Sequence, residues 1–320
     1  MNRESALTCK NCGSDNVIKK GKRINKYKEV SVFLCKRCNK KFSFQNFNNK
    51  TYDIVTIAET LSCYNCGHTI DFVAEKTNIP RSTISNWQSE YSELFGMTKY
   101  FKEIQKFRKK VAVIQEVKIN YPGKVVLKKN LFKIKNFVPE KETEILEYLD
   151  IEERGQFLDE LFSNCDVKAK EFKVSFPFEL IAKSSNGTAC QFAKIASEYK
   201  ELEIHEAVQK IMLENDTKTI ATSVPVFMKI SSSGIPWLRN IKSNNSYIIG
   251  NIDILQYVDN KFNILCFSED EPTENSFGNL LLCACCLSDA TGIPLRRMEL
   301  ICFDQNFYYQ IKASQAYKFV

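Results

Sequence analysis

The sequence predicts three units in series: a small β module stapled by metal, an all-α module of short helices, and an α/β domain filling the second half of the chain. Three observations predict it. Two Cys-x2-Cys pairs, Cys9/Cys12 and Cys35/Cys38, stand 22 residues apart near the start. Apolar residues then recur at helical spacing through residues 51–95. From about Glu140 helical stretches alternate with strand-like runs, and the charge changes sign.

At 320 residues and 44% hydrophobic content, the chain supports more than one packed unit, since single domains mostly hold ~100–200 residues. No stretch approaches the ~18 consecutive apolar residues that a membrane span needs, so no membrane partner is expected and the cytoplasm, including its nucleoid, is the default location. Thirteen cysteines are an odd number in a chain far larger than disulfide-dependent scaffolds. Reduced thiols, some acting as metal ligands, fit that count better than oxidative pairing. The net charge of +7 hides a division at Lys135. Residues 1–135 carry 27 Lys+Arg against 11 Asp+Glu, a balance of +16, whereas residues 136–320 carry 18 against 27, a balance of −9. A basic half of this kind is the electrostatic footprint of a polyanion, or a solvated lysine-rich surface.

Residues 1–48 are too few to fold without a staple. Cys9, Cys12, Cys35 and Cys38 offer four thiolates, and each x2 spacing lets a tight turn bring both sulfurs within ~2.3 Å of one ion. Gly13 and Asn39, following the second cysteine of each pair, suit such turns. One structural Zn2+ is expected. Cys63 and Cys66, with His68 nearby, offer three ligands but no fourth, and read as a turn after a helix in which small thiols pack.

Residues 49–110 read as helical. Ile54, Ile57, Ala58 and Leu61 share one helix face, and two shorter helices follow across a turn defined by Pro80, which starts a helix and drives Ile79 out of the α region. Val73, Ile79, Ile84 and Trp87 make the small core. Arg81, Ser82, Ser85, Asn86 and Gln88 then fall on or near the exposed N-terminal half of the last helix, where Arg can pair with guanine and Asn with adenine. A basic amphipathic helix carries Lys106, Arg108, Lys109 and Lys110, and residues 111–139 read as a basic linker. Residues 140–320 form the α/β domain, whose acidic surface could recruit a protein partner.

Residues 7–45, with Gly21-Lys22-Arg23, the run Tyr27 to Leu34, and Lys40, Lys41, Phe42 and Phe44, resemble the zinc ribbons of insertion-sequence transposases. Residues 53–92 resemble transposase and resolvase helix-turn-helix domains. The resemblance implies a ribbon and helix-turn-helix that hold duplex DNA, with a homodimer if the site is palindromic.

The second half carries Ile204-His205-Glu206-Ala207-Val208, then Val224-Pro225-Val226, Gly250-Asn251-Ile252-Asp253, Asn263-Ile264-Leu265-Cys266-Phe267-Ser268 and Thr291-Gly292-Ile293-Pro294-Leu295. This order resembles the RecB-like branch of the PD-(D/E)xK nucleases, including exonucleases that accompany CRISPR adaptation, over roughly residues 188–312. The resemblance implies a restriction-endonuclease-like α/β fold, with His205 and Asp253 matching the family's helix His and strand Asp. Cys266 stands where the second metal-binding carboxylate belongs, and Ser268 where the Lys belongs. A hard Mg2+ or Mn2+ ion needs oxygen ligands, so the resemblance implies a catalytically inactive remnant. Glu269, Asp270 and Glu271 are the substitute carboxylates that an active enzyme would use. Asn279 and Cys283 fall near the family's helix Gln and Tyr. Some members carry an iron–sulfur cluster; Cys190 suits its first ligand, but Cys285 and Cys286 read as core packing.

Overall fold

The computed structural model describes residues 9, 12, 14–24, 29–42, 52–119, 125–150, 181–185, 187–230 and 247–319. They fall into two compact units, Met1–Ala58 and Glu59–Val320. Gly13, Tyr27 and Phe44 lie outside the described residues.

In the first unit, β1 (Val17–Ile24), β2 (Glu29–Cys35) and β3 (Lys41–Phe42) form an antiparallel sheet in sequence order. The β1–β2 register slips between Lys19 and Gly21, and Gly21 has φ 127°, a conformation open to glycine that lets the strand bulge. Asn39, at φ 55°, reverses the chain into β3, and Cys35 N–H donates to the Lys40 carbonyl across that turn at 3.1 Å. At the other knuckle Cys9 N–H donates to Ser14 O at 2.8 Å.

Helix α1 (Ile54–Asn65) starts where Asp53 accepts the Thr56 N–H at 2.8 Å. Helix α2 (Ile70–Thr77) is capped by Thr69, whose Oγ1 accepts the Phe72 N–H, and ends at Asn78 in the left-handed region at φ 54°. Pro80, at φ −57°, then opens α3 (Arg81–Glu90). The expected core of Val73, Ile79, Ile84 and Trp87 is buried. Helix α4 (Phe101–Arg108) follows a single 3-10 turn.

The rest of the second unit is built on an eight-stranded mixed sheet. Its strands are β4 (Ile114–Ile119), β5 (Val125–Asn130), β6 (Ala182–Ser185), β7 (Thr219–Lys229), β8 (Tyr247–Val258), β9 (Lys261–Phe267), β10 (Met298–Phe303) and β11 (Phe307–Lys312), in the order β4-β5-β7-β8-β9-β10-β11-β6. Every neighbouring pair is antiparallel except β9 and β10. A parallel pair requires a crossover, and α9 (Glu274–Thr291) supplies it, packing its leucines and cysteines across β7, β8 and β10. Helices α5 (Leu131–Phe137), α6 (Thr143–Leu149), α7 (Thr188–Ala196), α8 (Ile204–Asn215) and α10 (Ala313–Ala316) complete the unit.

Two expectations are corrected. Within 111–139, residues 114–119 and 125–137 are not a linker: β4 and β5 pair antiparallel and add to the main sheet through β7, and α5 continues from β5. Nor does the chain divide after residues 48 and 110. The helices beyond Ala58 pack into the same unit as the sheet: Phe95 meets Phe192 edge-on, and Asn65 donates to Asn215 Oδ1 at 2.7 Å in a buried network with Ser62. Three short helices bury too little apolar surface alone, so they draw on a larger core.

Candidate metal centre and nucleic-acid interface

The two knuckles bring one sulfur each from Cys9, Cys12, Cys35 and Cys38 within 4.8 Å of one another. Cys9 Sγ lies 3.6 Å from Cys38 Sγ, and Cys12 Sγ lies 3.6 Å from Cys35 Sγ. These separations are far longer than a disulfide's ~2.05 Å. They approach the ~3.8 Å edge of a sulfur tetrahedron around an ion with ~2.3 Å bonds. The backbone N–H groups of Cys38 and Arg37 point at Cys35 Sγ and hold its thiol down at about 6, so it is ready as a thiolate near neutral pH. Ser14 N–H acts the same way on Cys12, but burial and the three neighbouring sulfurs push that thiol up to about 11. A divalent cation removes this mutual repulsion, so the donor set fits a metal ion.

Cys63 and Cys66 belong to the turn that closes α1. Gly67, at φ 84°, donates to the Tyr64 carbonyl at 2.8 Å, and burial raises both thiols above their ordinary value. Among the described residues the four N-terminal cysteines are the one His/Cys/Asp/Glu group compact enough to hold an ion.

On α3 the side chains of Arg81, Ser82, Ser85 and Asn86 are exposed. Arg81 Nε lies 2.6 Å from Asp71 Oδ1, with both side chains mostly exposed at 66% and 58%, so the pair is worth only ~0–1 kcal/mol and yields readily to another anion. Gln88 differs: it is half-buried, and its amide turns inward beside the Tyr64 hydroxyl. Lys106, Arg108, Lys109 and Lys110 are exposed on α4 and just beyond it.

In the sheet, α8 presents His205 to β8, with Nε2 3.4 Å from Asp253 Oδ2. The bond to Asp253 raises the imidazole above its ordinary value, against the opposing effect of burial. Cys266 stands beside Cys302, its in-register neighbour on β10; the interaction with Cys302 and then burial raise its thiol, which stays protonated. Ser268 donates its N–H to Phe303 O at 2.9 Å. Glu269 and Asp270 are exposed, whereas Glu271 is held by Lys183 Nζ at 3.2 Å and Tyr309 Oη at 3.0 Å. Cys190 is buried on α7, and Cys283, Cys285, Cys286 and Cys302 are buried in the main core. Asn279 is half-buried on α9.

Sequence reasoning passed over two features. Phe72 is 44% exposed on α2, stacked on His68, and Lys133 is wholly buried. An aromatic out of phase with the apolar face of α2 was a signal for the first; a lysine within a basic run gave none for the second. No helix among the described residues is long and apolar enough to cross a membrane. Neither a protein-family model, nor a curated protein, nor a solved structure matches this chain.

Proposed function

We propose that this chain is a zinc-dependent DNA-binding protein whose ribbon and helix-turn-helix contact duplex DNA. In this reading the α/β domain is a catalytically inactive relative of the RecB-like nucleases that serves as a scaffold. The observation that carries DNA binding is the exposed row Arg81, Ser82, Ser85 and Asn86 at the N-terminal half of α3, following a capped α2 and a turn at Asn78–Pro80. That is the end of a recognition helix that reaches base edges. The cations of α4 add an electrostatic grip on phosphates. Zinc is the metal for the ribbon because four thiolates at two knuckles suit its soft, tetrahedral coordination. The nuclease-like reading is supported by the element order α8-β7-β8-β9-α9-β10, with His205 beside Asp253.

The test is fluorescence anisotropy of the full chain against duplex libraries over a salt series. Affinity falls linearly in log–log form, with a slope near −0.9 per phosphate contacted. Arg81→Ala and Asn86→Ala each weaken a selected site by ~1–3 kcal/mol while leaving random duplex nearly unchanged, whereas Lys109→Ala weakens every sequence alike. Salt-independent binding, or Arg81 and Asn86 variants equal to the parent on every sequence, sinks the assignment.

A further inference from the structure

We infer that the groove between the turn after α1, the start of α2 and the end of α4 is a second nucleic-acid site, one that takes an unpaired base and its phosphates. It rests on the nucleic-acid reading above for the class of ligand, and its test separates the two.

The groove measures about 320 Å3, and His68, Phe72, Arg108 and Lys109 line it. His68 and Phe72 form a stacked pair with ring centroids 4.4 Å apart and planes within 16°. Phe72 is nevertheless 44% exposed. Burial, together with the charges of Arg108 and Lys76, lowers the His68 imidazole below its ordinary value, so near neutral pH the pair is an uncharged π surface. The cations beside it are held in position. Arg108 donates from Nη1 to the Cys66 carbonyl at 2.9 Å, which anchors an exposed side chain whose guanidinium carries further N–H donors. Gly67 makes room for that stem, because a Cβ there would stand 3.1 Å from Arg108 Cδ and 3.2 Å from its Cβ.

Arg108 also lines a second cleft, of about 600 Å3, together with Lys128 and Lys210. There the cations are partly matched, Lys128 by Glu116 at 3.4 Å and Lys210 by Glu59 at 3.1 Å. Among the described residues Arg108 and Lys109 pair with no carboxylate, so positive charge lies next to the aromatic face. An aromatic platform flanked by cations is the combination that holds single strands without reading sequence, since every base has a π face and every nucleotide a phosphate. Duplex DNA keeps its bases stacked internally and cannot use the platform. Charge complementarity thus favours a polyanion, and the platform favours a single-stranded one.

The experiment measures the full chain against a fluorescein-labelled mixed-sequence 20-mer, single-stranded and as the duplex. Phe72→Ala should weaken the single strand about 5- to 100-fold, the range expected for one stacked base, with duplex affinity unchanged. Phe72→Trp should restore single-strand binding and report it by quenching of the new indole. Arg81→Ala should do the reverse, weakening the selected duplex and sparing the single strand. An unaltered melting temperature in Phe72→Ala establishes that the exposed ring is not needed for folding. The inference is overturned if the wild-type chain does not bind the single strand, if Phe72→Ala lowers single-strand and duplex affinity equally, or if the Trp variant binds without quenching.

Discussion

Lys133 puts its ammonium where four backbone carbonyls converge at the C-terminal end of α8. Its Nζ donates to Leu213 O at 2.6 Å, Thr219 O at 3.0 Å, Met212 O at 3.5 Å, and Asp216 O. Met212 and Leu213 lie in the last turn of α8, where a cation also meets the negative end of the helix dipole. Burial pushes the lysine down from 10.5 to about 8, so the folded chain binds its proton less tightly than the unfolded chain does. Lys133→Met removes a buried cation and its bonds to four carbonyls, which should cost ~3–5 kcal/mol. For a unit of this size that is a fall in Tm of about 5–15 °C. Because the folded value is depressed, the wild-type contribution rises as pH climbs from about 8 toward 10.5, so the gap to the Met variant widens over that window. Denaturant titrations of both proteins at pH 7, 8.5 and 9.5 test this. A Met variant melting within about 2 °C of wild type, or a gap that narrows with pH, contradicts it.

At the scale of elements, the two knuckles are local devices and were legible as such. A Cys-x2-Cys turn brings its own two sulfurs together, so spacing alone identifies the ligands, and the sheet only decides that Cys9 faces Cys38 and Cys12 faces Cys35. Protein purified without added metal should carry about one zinc per chain by elemental analysis, and Cys35→Ser should lower that to well under half. Full zinc retention by the Ser variant would remove the site as assigned. The α2–α3 pair was legible from Pro80, which acts on the backbone of its immediate neighbours, whereas the caps at Thr69 and Asn78 were not read. Gln88 was not: it lies at the edge of the exposed arc, and the Tyr64 hydroxyl, contributed by α1, meets its amide on the inner side. The β4–β5 pair was missed for a similar reason. Its residues are Lys-rich, with Lys118 on the exposed face and Lys128 in an ion pair with Glu116, so composition alone resembles a linker until β7 is there to pair with.

Across the whole molecule, the His205–Asp253 pair lies where α8 meets the middle of the sheet, and the proposed nuclease-like reading makes it the remnant of a metal site. A divalent metal in such a site needs at least two fixed oxygen ligands on adjacent strands to stabilise charge at the phosphate and to lower the pKa of the attacking water. Asp253 provides one. Cys266, beside it on the neighbouring strand β9, is a protonated thiol, and Glu271 lies in an exposed ion pair with Lys183 and accepts from Tyr309. Incubated with linear, nicked and single-stranded DNA in Mg2+ or Mn2+, the protein should show no cleavage above an Asp253→Ala control. Cleavage lost in that control would mean that Glu269, Asp270 or Glu271 completes the site. Cys266→Asp combined with Ser268→Lys should in turn create Mn2+ binding detectable by calorimetry, and its absence would count against the nuclease-like alignment.

The sequence by itself determined the group of four cysteines that could hold a metal, the short helices, the division of charge, and the presence of an α/β half. Each of these depends on residues close together in the chain, or on composition. Only the tertiary structure decided that the helices after Ala58 share one unit with the sheet, and that residues 114–119 and 125–130 extend that sheet. The same is true of the burial of Lys133 under α8 and of the meeting of Phe72, His68 and Arg108 around one groove. In each case the partners lie some 35 to 150 residues apart: Arg108 and Cys66, Lys133 and Leu213, Asn65 and Asn215. No periodicity or spacing rule reaches across such separations, because which surfaces meet is settled by how a large core closes, and a lysine written in a basic run carries no mark of whether water or four carbonyls will surround it.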